Sequence, residues 1–277
     1  MDPRPFLKMH GLGNDFVIVD GRARTFKPSP TVAARISDRH FGVGCDQLIV
    51  LEKSLTGLAD ATMKILNADG SESASCGNAT RCVATLLMQE FGREHVVIET
   101  AAGLLDCDRV GDLVTVDMGP ARLDWNEIPI AEKLDTLHLG IREGMLVDPV
   151  GVSMGNPHAV FMVDDAASVP LDRIGPKIER HKLFPQRTNV EAVQVLSRNK
   201  IRLRVWERGA GITLACGSGA CAALVATARR NLTDRKAEVV LDGGSLVIEW
   251  LGNGHVLMTG PVATAFRGEL DPSLLKE

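Results

Sequence analysis

Two cysteines stand in closely similar surroundings: Cys76 in ADGSESASCGNATRC (residues 68–82) and Cys216 in RGAGITLACGSGAC (residues 208–221). Each follows a glycine-punctuated turn, is followed by Gly, and precedes an Ala-rich apolar run. After Cys76 the apolar positions Ala79, Cys82, Val83, Leu86 and Leu87 share one helical face, with Gly92 as a stop. After Cys216, Ala220, Cys221, Leu224, Val225 and Ala228 do the same, with Asn231 near the end. Both cysteines are therefore expected at helix N-termini. Unsatisfied N–H groups and the positive end of the helix dipole there favour a thiolate and also bind a carboxylate. Gly77 and Gly217 let a ligand approach the backbone. One such cysteine could be a nucleophile. Two in equivalent halves suit a different chemistry, in which a thiolate removes a proton from a carbon while the opposite thiol returns one, inverting the centre. A carboxylate on that carbon would gain charge on deprotonation, where the helix N-termini stabilise it.

Other polar residues repeat with the cysteines. Asn67 and Glu207 each stand nine residues before their cysteine, 140 residues apart like Cys76 and Cys216. Asn14 pairs with Asn156 and Gln47 with Asn189, both at an offset of 142. Four anchors in one order at nearly constant offset read as a duplicated domain. Short β-branched runs (DFVIVD, QLIVLE, HVVIET, LVTVDM, AVFMVD, EAVQVL, KIRLRVW, AEVVLD and SLVIEW), separated by Gly, Asp and Asn turns, read as strands. Each half is then mostly sheet with one apolar central helix.

The composition fits a small-molecule protein. The chain has 277 residues, 45% of them hydrophobic and 24% charged, enough for a real core and for two domains. The net charge of −4 and the lack of a Lys/Arg block give no surface for nucleic acid or an anionic membrane. The start, MDPRPFLKMHG, lacks an apolar core of signal-peptide length, and no later run has the length of a membrane span. A cytoplasmic location with mostly reduced cysteines is the expectation. No lysine lies in a motif suited to a cofactor Schiff base. No His/Cys/Asp cluster has metal spacing, because Cys82 and Cys221 follow the first cysteines by six and five positions. Neither a cofactor nor a metal is expected.

The run NADGSESASCGNATR, with MHGLGNDF, GCDQ, MGNPH and ERGAGITLACGSGACA, closely resembles the diaminopimelate epimerase family over nearly the whole chain. One departure is Ala79, where that family more often has Gly. The resemblance implies an α+β fold of two pseudo-symmetric duplicated halves, each a β-sheet wrapped around a central α-helix. The expected division is 1–119 and 120–264, with a tail, 265–277, packing back on the first half. It implies epimerisation of LL-2,6-diaminopimelate to the meso form without pyridoxal phosphate, in lysine and peptidoglycan-precursor synthesis, by a cytoplasmic homodimer. Cys76 and Cys216 would be the acid/base pair, tuned by His158 and Glu207. Asn14, Gln47, Asn67, Gly77, Asn78, Asn156, Asn189, Glu207, Arg208, Gly217 and Ser218 would line the substrate. Residue chemistry agrees: a substrate with an amino acid at both ends needs its far carboxylate and ammonium held, for which Arg208 and Glu207 are natural partners. Cys45, Cys82, Cys107 and Cys221 read as core residues, His10 and His40 as structural, and Asp69-Gly70-Ser71 as a turn. Two alternatives stand beside this reading. One is a proline-type racemase, which also uses paired cysteines but needs no far-end set. The other is a thiol-redox or metal-binding protein, against which stands the Gly after each cysteine.

Overall fold

The computed structural model describes residues 4–54 and 56–276 of the chain, which divides into two compact units: residues 1–116 with 260–277, and residues 117–259.

The first unit is a sheet in which Asn14–Asp20 pairs antiparallel with Arg4–Gly11 and parallel with Gln47–Glu52. Gln47–Glu52 continues antiparallel to Ala61–Asn67, which runs parallel to His95–Thr100, itself antiparallel to Gly103–Val110. Ala263–Leu270 adds antiparallel to Arg4–Gly11. The second unit repeats the same order of pairings: Val150–Ser153 antiparallel to Pro157–Met162, then parallel to Asn189–Ser197, antiparallel to Lys200–Glu207, parallel to Lys236–Leu241, and antiparallel to Gly244–Trp250. The register repeats as well. Phe16 faces Gln47 in the first unit and His158 faces Asn189 in the second, each pair shifted by 142. Leu48 faces Leu66, and Val190 faces Trp206. The change of offset from 142 to 140 falls in the hairpin between these strands. These are the duplicated halves of the α+β fold.

Among the described residues, four α-helices cover the sheets: α1 (Pro30–Ser37), α2 (Gly77–Phe91), α3 (Leu171–Glu179) and α4 (Gly217–Arg229). In the first unit, Val32, Ala33 and Ile36 of α1 pack with Val17, Val19, Leu48 and Val50. In the second, Ile174 and Ile178 of α3 pack with Ala159, Phe161, Val190 and Ala192, the positions equivalent to those four. Side chains alternate across a strand, so Phe16 and Ile49, and likewise His158 and Glu191, point to the opposite face. In the second unit that face meets α4, which packs on both strands. Ten of its thirteen residues are buried, which makes it the centre of its unit. α2 is buried over eleven of fifteen.

Helices α1 and α3 carry no sequence expectation, and the reasons are local. α1 is only eight residues long and begins at Pro30 behind the Ser29 cap, whose hydroxyl accepts from Val32 N–H. α3 follows Pro170 and contains Pro176, residues that ordinarily argue against a helix. Both exist because their apolar faces close a core.

The Asp69-Gly70-Ser71 turn sets the end of the strand that carries Asn67. Asp69 accepts from the Ser71 N–H (2.9 Å) and hydroxyl (2.6 Å), and Asn67 N–H donates to the Ser71 carbonyl at 2.8 Å. Gly70 has φ +83°, and a Cβ there would lie 2.2 Å from the Pro30 carbonyl oxygen. Gly70→Ala is expected to destabilise the protein by about 2 kcal/mol or more, read as a lower urea midpoint. An unchanged midpoint would show that the turn relaxes freely.

Candidate active site

In the first unit, Cys76 is the N-cap of α2 and is half-buried. Its thiol donates to Asn14 Oδ1 at 3.8 Å, and the same oxygen accepts from Asn78 Nδ2 at 3.1 Å. Asn14 Nδ2 donates to Asp46 Oδ2 at 2.9 Å, which turns the amide oxygen toward the cysteine. Asp46 is held in turn by Arg39, which bridges it to Asp15 at 2.7 Å each. Burial pushes the Asp15 carboxyl up, but hydrogen bonds from Arg39 and Lys8 outweigh it and hold the group well below the usual carboxylate range. On the neighbouring strands Gln47 Nε2 donates to Asn67 Oδ1 at 3.0 Å, and Asn67 Nδ2 donates to Ser71 Oγ at 3.1 Å. Gln47 Oε1 is buried without a hydrogen-bond partner among the described residues, leaving an acceptor for a ligand.

In the second unit, Cys216 is the N-cap of α4 and 5% exposed. Its sulfur accepts the Gly219 N–H at 3.3 Å and lies 3.6 Å from Ser218 Oγ. Ser218 accepts from Asn156 Nδ2 at 3.4 Å, and Asn156 Oδ1 lies 3.0 Å from His158 Nε2. The other ring nitrogen, Nδ1, is 2.6 Å from Glu191 Oε1, and both side chains are fully buried. Asn189 accepts from the Arg208 backbone N–H at 2.9 Å and donates to the Pro157 carbonyl at 3.0 Å. Glu207 accepts a short bond from the Thr213 hydroxyl. Arg208 is exposed, and its guanidinium donates to the Gln186 carbonyl at 3.0 Å.

Cys76, Asn14 and Asn78 therefore form one group, with Gln47 and Asn67 as a second in the same unit. Cys216, Ser218, Asn156 and His158 form a chain in the other, beside Asn189, Glu207 and Arg208. Gly77 and Gly217 are the first residues of α2 and α4, buried behind their cysteines. Sequence reasoning missed Asp46 and Glu191. Asp46 lay in plain view inside GCDQ, next to Gln47. Glu191 was signalled by a carboxylate in the otherwise apolar run NVEAVQVL, at a position that alternation puts on the same face as Asn189.

Position at a helix N-terminus alone favours a low thiol pKa. At Cys216 the outcome is the reverse. Burial first, then the Glu207 carboxylate, push the thiol well above its ordinary range, although the Ser218 hydroxyl and Gly219 N–H pull the other way. Burial likewise pushes Cys82 up to about 12. Among the described residues no group of three or more His, Cys, Asp or Glu could hold a metal ion, and no helix is long and apolar enough to cross a membrane.

The duplicated α+β fold is shared with solved proteins of low sequence similarity. A hydroxyproline epimerase from Agrobacterium vitis matches with a TM-score of 0.65 at 18% identity, over 98% of this chain and 94% of that one. A phenazine biosynthesis protein of the PhzF family from Enterococcus faecalis matches with a TM-score of 0.70 at 15% identity, over 98% and 100%. The family profile described as diaminopimelate epimerase matches residues 6–123 and 150–265. Diaminopimelate epimerases of Rhodospirillum centenum and Acidiphilium cryptum are 62% and 56% identical over 98% of this chain, covering 94% and 98% of their own lengths. This chain belongs to the diaminopimelate epimerase family.

The burial of Cys82 makes stability depend on pH. Its folded pKa is raised, so above the unfolded thiol's pKa of about 8.5 the folded state holds a proton that the unfolded state releases, and stability falls as pH rises. By about pH 10 this one group costs about 2 kcal/mol. Urea unfolding is expected to show a shallower loss between about pH 8.5 and 10 in Cys82→Ala than in the wild type. Parallel curves would mean that the thiol ionises without hindrance.

Proposed function

We propose that the protein is an isomerase that interconverts LL- and meso-diaminopimelate, with Cys76 and Cys216 as the two-base pair. The observation that carries the reading is the repeat itself. Each duplicated half caps its central helix with a cysteine, and each half carries amides equivalent in position: Asn14 and Asn156, Gln47 and Asn189. Membership of the family, at 62% identity to a relative of that name, supports the choice of substrate.

The chemistry follows from the groups present. One sulfur, as thiolate, takes the α-proton, while the other, as thiol, delivers a proton to the same carbon. The raised Cys216 thiol matches the delivering role in the unliganded enzyme. The first N–H groups of α2 and α4 are suited to a carboxylate that gains charge as the proton leaves. Neutral amides at Asn14, Gln47, Asn67, Asn78, Asn156 and Asn189 offer both donors and acceptors, and Glu207 and Arg208 offer one partner each for an ammonium and a carboxylate. Ser218, Gly77 and Gly217 complete the lining. His158 and Glu207 tune the cysteines. The same reading carries a cytoplasmic homodimer that needs no pyridoxal phosphate.

Incubated with LL-diaminopimelate in deuterated water under reducing conditions, the protein is expected to form the meso isomer with deuterium only at the inverted α-carbon, whether or not pyridoxal phosphate is added. L-proline is expected to remain unexchanged. Cys76→Ala and Cys216→Ala are each expected to abolish epimerisation, since inversion needs a donor as well as an acceptor. Absence of exchange in the wild type defeats the assignment.

Arg208→Ala tests recognition separately. Loss of one hydrogen bond to a charged group costs about 2 kcal/mol, so KM is expected to rise on the order of 30-fold. An unchanged KM would leave Arg208 as an anchor for the loop at Gln186.

A further inference from the structure

Glu191 has no part in the chemistry above, yet it is fully buried and lies within hydrogen-bond distance of His158, which is linked to Cys216 through Asn156 and Ser218. Its second oxygen, Oε2, is buried without a hydrogen-bond partner among the described residues. An ionised carboxylate in that position would leave part of its charge unsolvated, at a cost of several kcal/mol. A carboxylic acid leaves only a weak acceptor. Burial also raises the Glu191 pKa, against the pull of His158 and together with the push of Glu207. The backbone shows how Glu191 comes so near. A Cβ on Gly219 would lie 3.1 Å from Glu191 Oε1 and 3.2 Å from Cys216 Sγ. A glycine at the third position of α4 lets the carboxyl and the sulfur crowd the same α-carbon without either having to give way.

The hydrogen bonds then have one consistent direction. Asn156 donates its Nδ2 to Ser218, so its Oδ1 is left to accept. His158 Nε2 lies 3.0 Å from that oxygen and therefore carries a proton. With Nε2–H fixed, a neutral ring presents Nδ1 as an acceptor, 2.6 Å from Glu191 Oε1. We propose that Glu191 is a positioning residue held as the neutral acid, donating its O–H to His158 Nδ1 and so locking the Nε2–H tautomer. The run is then Glu191 to His158, His158 to Asn156, Asn156 to Ser218, with every donor aimed onward. Ser218 Oγ, 3.6 Å from Cys216 Sγ, can donate to the sulfur once Cys216 has given up its proton. No proton needs to travel along the chain. The chain keeps Ser218 an acceptor from Asn156 and thus turns the serine's own hydrogen toward the sulfur.

The inference rests on the two-base reading for its kinetic part and is separable from it by spectroscopy. Nitrogen-15 NMR of the histidine-labelled, unliganded wild type is expected to show His158 as a neutral ring protonated on Nε2. Glu191→Gln keeps an N–H donor opposite Nδ1 and no charge, so it is expected to preserve that tautomer and hold kcat and KM within roughly threefold of wild type. Glu191→Met fills similar volume without a donor. It is expected to lose the tautomer signature and lower kcat on the order of 100-fold, the scale of a misdirected acid/base group, with KM within roughly threefold. An imidazolium or an Nδ1–H ring in the wild type overturns the proposal. So does a Gln variant that folds normally but loses kcat as Met does, because the carboxylate charge is then what matters. A Met variant with wild-type kcat also overturns it. If the wild type shows the expected tautomer but turns over no diaminopimelate, the function reading fails and the positioning of His158 stands.

Discussion

A helix buried along its length cannot give its first N–H groups to water, so something within the protein must accept them. In the second half the group that accepts is the Cys216 sulfur, which takes the Gly219 N–H at 3.3 Å. The rest of that site follows from this contact. The sulfur is fixed over the first turn of α4, and the turn favours glycine at 219, because the sheet beneath it brings a carboxyl to within 3.1 Å of where a Cβ would stand. The sequence GSGACAALVATAR answers both demands, with glycines where the approach is tightest and alanines where the helix packs on six strands.

The two halves share a register but not a chemistry. On the face turned away from α1, the first half has Phe16 and Ile49, fully buried and apolar. At the equivalent positions the second half has His158 and Glu191, equally buried. The cores on the other face stay apolar in both: Val17, Val19, Leu48 and Val50 against Ala159, Phe161, Val190 and Ala192. Polarity has therefore been introduced on one face of one half, and there it comes as a pair, since a lone buried histidine or glutamate would lack a partner. The first half instead steers its cysteine from outside the core. Asn14 is oriented by Asp46, and Asp46 by the exposed Arg39. One cysteine thus stands at the end of a buried hydrogen-bonded chain and the other beside a half-exposed ionic one, so the two equivalent positions of the repeat have unequal surroundings.

Much of this was legible in the sequence, and what was not had physical causes. The strands with continuous β-branched runs, such as QLIVLE and HVVIET, coincide with the strands Gln47–Glu52 and His95–Thr100. The two central helices were visible through their apolar faces, and the offsets of 140 and 142 exposed the repeat. Strands such as Arg4–Gly11 and Ala263–Leu270 were not read, because RPFLKMHG and ATAFRGEL lack a clean alternation. They are nonetheless paired to each other along nearly their whole length. Helices α1 and α3 are specified by the cores they close, α3 in spite of Pro170 and Pro176. Asp46 and Glu191 act through Asn14 and His158, and such relationships between side chains on different elements leave no trace in local spacing.

The thiol at Cys216 shows where a rule read from sequence stops. A helix N-terminus stabilises a nearby negative charge by about 0.3–1 kcal/mol when exposed and up to about 2 kcal/mol when partly buried. Removing an ionised group from water costs several kcal/mol after relaxation, and Cys216 is 5% exposed with the Glu207 carboxylate acting on it. Desolvation wins by magnitude, so the resting sulfur keeps its proton. The helix terminus and the donors around it are still of use, because they act on the state formed after the proton has left. Sulfur charge appears only then, and the Gly219 N–H is already in place to receive it. The arrangement disfavours the thiolate in the resting state and holds preset donors for it once it forms, which is the behaviour that the proposed acid/base role asks of Cys216.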